Sequence, residues 1–492
     1  MKNNSVIKPI LLTVAAALFL AFCMDISVGS IKAAPFVFLV ICSAVIVFVF
    51  RKNIPVSAVF LTMLSGMMIK LAYVIYTPVW CRQHDVVDFG AGEGHAAYME
   101  YILSHKALPD FDPRSVWAFF QPPLHHGISA VWMWFNIRMH VTEEHMHKNV
   151  QILPLIYMCV LMYVVFMICR LLNMTSSGTL VAMLIVSFHP IYILMSGSIN
   201  NDAIAVMLSM IAIYVAILWY LAPTTGKIVL LAVFIGLAMS AKLSSALIAP
   251  PIAVMMICKA YTDSEKLKNV SKRRSYILEY LIFAVIVFPL GLWWPLRNKI
   301  LFDMPAGYIP EVGENVTGAG LAQRLFDIRT ASPFLYMKAN GFAYDEYNLI
   351  LATIKSSLFG EGDFANLSPA VTLFGWILLI LSVCVFILQI TAMIRTWAVA
   401  EANPDKGLKI FLASLVICLI GGYLMFAISG GNLSAMDLRY SAAVVSVLSI
   451  LLGLWYDRLG AKSQKLPRLI ILGTSLCFAI TASLFYILVG LH

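Results

Sequence analysis

The stretch Cys81–His126, CRQHDVVDFGAGEGHAAYMEYILSHKALPDFDPRSVWAFFQPPLHH, is a polar island in a chain that otherwise reads as apolar helix. It carries the carboxylates Asp85, Asp88, Glu93, Glu100, Asp110 and Asp112, and the imidazoles His84, His95, His105, His125 and His126. The whole chain has 10 histidines, and most of them fall in or just after this stretch. Ionisable groups concentrated between apolar runs of membrane-spanning length mark a chemical site carried on a membrane scaffold.

The rest of the chain supplies that scaffold. Its 492 residues are 61% hydrophobic and 12% charged, against roughly 45–50% and 25% in soluble domains. The apolar runs are about 20 residues long and unbroken, which fits α-helical spans and not the alternating strands of a membrane barrel. The fold class expected is therefore an all-α polytopic membrane protein. The net charge of +9 raises a nucleic-acid partner, but the basic residues sit at the ends of apolar runs, where they set orientation, so no nucleic acid is expected. Eight of the nine cysteines lie inside apolar runs and read as packing residues; Cys81 alone lies in a polar segment. The run after Lys8 lacks a small-residue cleavage site before Asp25 and reads as a retained span.

Thirteen spans are predicted, at 9–24, 34–50, 54–77, 150–171, 176–196, 202–221, 227–241, 244–261, 276–294, 370–394, 407–429, 438–456 and 468–490. The basic clusters Lys2/Lys8, Arg51/Lys52, Arg170, Lys227, 259–274, Arg395/Lys406/Lys409 and 458–468 fall on one side if the N-terminus is cytoplasmic. The loops 78–149 and 295–369 then face out of the cytoplasm, where nucleotide sugars are absent. The expected location is the cell membrane, multi-pass, with the site extracytoplasmic. Within the first loop, Glu93–His105 reads as a short amphipathic surface helix, ended by Leu108-Pro109-Asp110. Gln121-Pro122-Pro123 opens a second surface helix that runs to about Ile137 and carries Trp132 and Trp134.

A span, a loop acid, the helix HAAYMEYILSHKALP and then QPPLHH resemble the C-type (GT-C) membrane glycosyltransferases, in the bacterial branch similar to protein O-mannosyltransferases and lipid A aminoarabinose transferases. INNDA at 199–203, GLAMSAKLSSALIAPP at 236–251, WWPLRNKILF at 293–302 and MDLRY at 436–440 follow in the order the resemblance expects. It covers about 54–300 well and 400–492 loosely. The corresponding parts are a two-span extension over 1–53, a core over 54–302 with its catalytic loop at 78–149, a loop or lid over 303–369, and C-terminal spans over 370–492.

The resemblance implies transfer of a sugar from a polyprenyl-phosphate carrier to an acceptor, with membrane lipids around the site. The acceptor is left unidentified among protein, lipid and wall polymer. Such a reaction needs a base for the acceptor hydroxyl, a carboxylate near the developing oxocarbenium ion, and cations for the leaving phosphate. Asp85, Asp88, Glu93 and Asp202 are the candidate carboxylates, in that order for the base within the loop. Lys242, Arg297 and Arg439 are the candidate cations, with His95, Gln121, His125, His126 and Asn201 as further binding residues from the matching motifs. Each has a plainer reading: a solvated loop acid, a first-turn charge at Asp202, a snorkelling Lys242, interfacial anchors at Arg297 and Arg439. The histidines leave a divalent metal open, although no two of them show a tight ligand spacing. A secondary transporter, or a ligase or flippase of lipid-linked envelope polymers, is the alternative. The gathering of polar groups on one outer face, with no inverted repeat, disfavours the transporter.

Overall fold

A computed structural model of the chain describes residues 53–263, 268–310, 320–328, 330, 332–334, 348–362, 364–398, 404–429, 433–460 and 464–492. The predicted spans 9–24 and 34–50 lie outside them. The described residues are helical with no strand. In chain order the helices are α1 (Ile54–Tyr76), α2 (Gly94–His105), α3 (Leu124–Arg138), α4 (Glu143–Asn149), α5 (Ile152–Leu171), α6 (Ser176–Phe188), α7 (Pro190–Gly197), α8 (Asp202–Leu221) and α9 (Thr225–Ala241). They continue with α10 (Ala249–Thr262), α11 (Val270–Phe302), α12 (Leu321–Phe326), α13 (Leu349–Phe359), α14 (Pro369–Ala398), α15 (Lys406–Ser429), α16 (Ala443–Arg458) and α17 (Lys465–Gly490).

Eight helical stretches among the described residues are long and apolar enough to cross a membrane, or nine if the bent pair α6–α7 is one span. Two further predicted spans, 227–241 and 438–456, correspond to α9 and α16. α9 is too short to pass that test, and α16 is shorter still. The first loop contains helices at both places where one is expected, α2 and α3. α3 starts at Leu124, after Pro123 rather than before it, because the residue preceding a proline is biased away from helix.

Local chemistry fixes where the spans begin and break. Asn53 caps α1 by accepting from the Val56 N–H at 3.3 Å. The α6–α7 span bends by 46° where Pro190 supplies no N–H, and His189 accepts from the Ile191 N–H at 3.3 Å. The bend frees the Ser187 carbonyl, which accepts from the fully buried Lys70 at 2.6 Å. That pairing accounts for an ammonium inside a span, a placement that costs about 2.5–3.5 kcal/mol on insertion scales. α1 can approach this break because Gly66 has no side chain: a Cβ there would lie 2.7 Å from the Ser187 carbonyl oxygen.

One large apolar core joins α1, α5–α10 and α14–α17. α8 is its central post, with 72% of its apolar window buried, whereas α11 has 22% and turns most of its surface outward. The C-terminal end of α1 is tied to α17 by the Tyr76 hydroxyl, which donates to the Tyr486 carbonyl at 2.8 Å. Tyr486 in turn donates to Leu358 at the end of α13 at 2.6 Å. These ends, the start of α8, the end of α9 and the 81–126 loop all meet at one face of the bundle.

Candidate active site

The loop after α1 is held in a conformation that L-residues rarely adopt. Arg82, Asp85 and Val87 have φ of 56°, 57° and 55°, and for the β-branched Val87 this is a genuine outlier. The N-terminus of α2 holds it there. His95 N–H donates to the Asp85 carbonyl at 2.9 Å and Ala96 N–H to the Val86 carbonyl at 3.1 Å. These are the free donors every helix start must place. Gly94 makes the approach possible, since its φ is +82° and a Cβ would sit 2.3 Å from the Val86 carbonyl oxygen. The Asp85 side chain is left on the open side of this turn, accepting from the Trp117 indole N–H at 3.2 Å.

Four segments far apart in sequence converge on it. Asp202, buried at the first turn of α8, pairs with Lys242, the extended residue that ends α9. Arg439 lies in a short 3-10 turn, Leu438–Ser441, whose N-cap is Asp437. Its guanidinium reaches Asp202 and Asp85 at 3.3 Å each and Asp437 at 3.4 Å. The Tyr440 ring stacks beneath both cations, 4.7 Å from the Lys242 ammonium and 4.8 Å from the Arg439 guanidinium. On the other side of Asp437, His84 Nε2 lies 3.7 Å from its Oδ2, while His84 Nδ1 lies 3.5 Å from Glu361 Oε2.

The charges follow from this crowding. Burial acts to raise the Asp85 carboxyl, but Arg439, His95, His84 and Lys242 outweigh it and hold the group down at about 2. Burial pushes the Asp437 carboxyl up. Burial and Arg439 oppose the charged form of His84, yet Glu361 and Asp437 carry its imidazole above its usual range. A cavity of about 410 Å³ opens onto the cluster, lined by His84, Asp202, Glu361, Asp437 and Arg439 on its polar side. Ile191, Leu194, Met195 and Phe359 form its apolar side.

Of the residues expected from sequence, Asp85, Asp202, Lys242 and Arg439 meet in this cluster. Asn201 and Gln121 stand beside it: the Asn201 amide donates to Gln121 Oε1 at 3.3 Å and to the Ala241 carbonyl at 2.8 Å. They fasten the turn before α8 to the end of α9. Asp88 is exposed and lines a separate cleft with Trp80, Phe89, His145 and Lys148. Glu93 is exposed at the N-cap of α2 and makes no capping bond with its side chain. Arg297 donates to the Pro109 carbonyl and to Asn298, and packs over the Trp294 and Phe302 rings; it braces the surface loop to α11.

The histidines join the two surface helices. His95 Nδ1 and His126 Nε2 share a hydrogen bond of 2.8 Å with their rings stacked, and Tyr98 stacks on His126 at 4.2 Å. His125 turns the other way, to the Ile199 carbonyl at 2.7 Å. Burial, the largest effect on each, lowers His95 to about 3 and His125 to about 4, and puts His126 well below its usual range. Burial thus favours the neutral form of all three. Sequence reasoning missed Glu361 as a site residue and placed Asp437 only inside the MDLRY motif. The signal for Glu361 was the Gly360-Glu361-Gly362 triplet at the close of the second loop, where Gly360 has φ +59°.

Residues 125–294, about a third of the chain, match the family described as dolichyl-phosphate-mannose-protein mannosyltransferase. No curated protein matches the chain in sequence. Among solved structures, the archaeal oligosaccharyltransferase AglB from Archaeoglobus fulgidus, in complex with an inhibitory peptide and a dolichol-phosphate, is similar at a TM-score of 0.51 and 14% identity. That likeness covers 89% of this chain and 56% of the archaeal one. ArnT from Cupriavidus metallidurans bound to undecaprenyl phosphate is similar at a TM-score of 0.49 and 14% identity, over 86% of this chain and 75% of that one.

Proposed function

We propose that this chain, which has the fold of the GT-C membrane glycosyltransferases and is related to the O-mannosyltransferase branch, moves a sugar from a polyprenyl-phosphate carrier to an acceptor outside the cytoplasm. The observation that carries the reading is the cluster Asp85–Arg439–Asp202–Lys242. It assembles two carboxylates and two cations from four distant segments at one end of the bundle. The match of residues 125–294 to a family that uses dolichyl-phosphate-mannose, and the similarity to a protein solved with dolichol-phosphate, support the donor class.

The chemistry asks for little beyond these groups. Lys242 and Arg439 receive the phosphate that departs with the lipid, so the leaving group needs no acid. Asp85 takes the proton of the acceptor oxygen as that oxygen attacks the anomeric carbon from the face opposite the phosphate, which inverts the configuration. Without substrate, Arg439 holds Asp85 at about 2, too low for an efficient base. A donor phosphate that draws Arg439 away would raise Asp85 at the moment the base is needed. Asp202 keeps Lys242 and Arg439 aimed at the same spot. The positive-inside pattern of the basic residues supports placing this face outside the cytoplasm.

The test is release of polyprenyl phosphate from a polyprenyl-phosphate sugar by the purified protein. Asp85→Asn should lower turnover by at least about 10²-fold, with thermal stability retained because its side chain is 38% exposed. Asp202→Asn should lower turnover similarly. Wild-type turnover in both variants would refute the assignment.

A further inference from the structure

A cleft of about 510 Å³ opens beside the cavity at the Asp202–Arg439 cluster, and the transfer chemistry described above makes no use of it. One wall is the loop from Pro78 to Phe89, and the other is α4. Its volume falls within the range of small-molecule sites, roughly 300–1,000 Å³. Trp80 lines both the cleft and the cavity that holds Asp202 and Arg439, so the two openings share a wall. Asp88, on the cleft side, follows Asp85 so closely in the chain that their Cα atoms are at most about 11 Å apart. A ligand seated in the cleft therefore lies within reach of the carboxylate that faces Arg439.

The lining chemistry narrows the occupant. Lys148 is the one fixed cation in the lining. Its ammonium donates to the Val74 carbonyl, to the Thr77 carbonyl at 2.6 Å and to Gln151 Oε1 at 2.7 Å. These bonds use all three of its donors, so an anionic ligand finds no counter-charge here. Phe89 has one face covered by the His147 ring, 4.0 Å away and parallel within 3°. A caged ammonium needs several open aromatic faces, and Trp80, 63% exposed, is the open ring of this lining. Asp88 and Glu144 are exposed, and among the described residues neither side chain has a hydrogen-bond or ion-pair partner. One flat apolar face flanked by two free acceptors matches a sugar ring, whose C–H face stacks on the indole while its hydroxyls donate to the carboxylates. We propose that this cleft binds a saccharide of the acceptor, so that the acceptor is a glycan or the sugar head of a glycolipid; its role as acceptor rests on the transferase reading. The bound ring points one hydroxyl past Trp80 toward Asp85. That oxygen bonds to the anomeric carbon as the bond from this carbon to the phosphate oxygen breaks. Its proton passes to Asp85, and the lipid phosphate leaves with the bonding pair.

The experiment places purified full-length protein in phosphatidylglycerol nanodiscs and follows binding by saturation-transfer NMR. The probes are methyl β-glucoside, methyl α-mannoside and diacetylchitobiose, with choline and a serine-containing tripeptide as competing classes. At least one saccharide should bind, and Trp80→Leu and Glu144→Gln should each weaken its binding at least about tenfold. Both side chains are exposed, so neither change threatens the fold. Nanodiscs containing glucosyldiacylglycerol that block the probe identify a glycolipid head as the source; undiminished probe binding there identifies a free glycan. No saturation of any saccharide, saturation of choline or the peptide in its place, or equal binding by both variants overturns the proposal. The two readings separate in a parallel assay of polyprenyl phosphate release. Release by protein that binds no saccharide refutes the cleft and leaves the transferase. Saccharide binding that Glu144→Gln weakens, with no release from any polyprenyl-phosphate sugar, supports the saccharide site and refutes the transferase.

Discussion

Arg439 shows how much one side chain can organise. It is 8% exposed and engages Asp85, Asp202 and Asp437 together, which uses the planar fork of the guanidinium; a lysine ammonium could not span the three. Arg439→Lys should therefore lower turnover by about 10²-fold and also lower the melting temperature, since it leaves buried carboxylates without a partner. A variant with wild-type turnover would show that the three-way contact is idle. The buried histidines make a separate claim about pH. With His95 at about 3 and His125 at about 4 in the folded protein and about 6.5 unfolded, the unfolded chain binds more protons below pH 6.5. Stability should thus be unaffected above pH 7 and fall as pH drops from 6.5 toward 4, by up to about 1.4 kcal/mol per pH unit for each such histidine. Melting curves across pH 4–8 check this, and His95→Gln should flatten the slope.

Among the elements, α2 is the one that shapes the site without lining it. Its N-terminal donors grip the Asp85 and Val86 carbonyls, and Gly94 allows that contact by its positive φ and missing Cβ. Gly94→Ala brings both strain and a backbone collision, so it should cost about 1–3 kcal/mol. Because the displaced group is the proposed base and not the proposed phosphate site, kcat should fall while KM for the donor changes little. An unchanged kcat would mean that the loop finds its conformation without α2. The two helices of the loop were legible in sequence through spacing, and the Pro122-Pro123 pair marked the approach to α3, whose first helical residue is Leu124. That Glu93 and Asp88 face outward was not legible, because the loop's direction depends on positive-φ residues of which only Gly90, Gly92 and Gly94 could be suspected from sequence, whereas Arg82, Asp85 and Val87 could not.

At the scale of the whole molecule, the charge pattern predicts sidedness. The basic clusters all belong to one face in the predicted topology, opposite to the face that gathers Asp85, Asp202, Lys242 and Arg439. Cys81, half-buried in the first loop, should therefore react with a membrane-impermeant maleimide added to intact cells. A Gln464→Cys variant lacking Cys81, at the exposed start of α17, should react only after the cells are opened. The reverse pattern would invert the topology and remove the argument for a lipid-linked donor.

What the sequence determined by itself is the class of the molecule and the address of its chemistry. Long apolar runs leave only helices that satisfy their own backbone in lipid, and charges concentrated in Cys81–His126 mark where polar work is done. Asp202, Lys242 and Arg439 were legible as candidates through the ordered motifs at 199–203, 236–251 and 436–440, and Lys242 also because a charge so deep in an apolar run needs a partner. The partners themselves came only from tertiary structure. Lys242 meets Asp202 across 40 residues and Arg439 meets Asp85 across 354, distances over which periodicity and propensity carry no information. The same folding placed Asp85, and not Asp88 or Glu93, against Arg439 and brought Glu361 to His84. Convergence of this kind is set by how α1, α8, α9 and α13 pack, and packing is a property of the assembled core rather than of any segment in it.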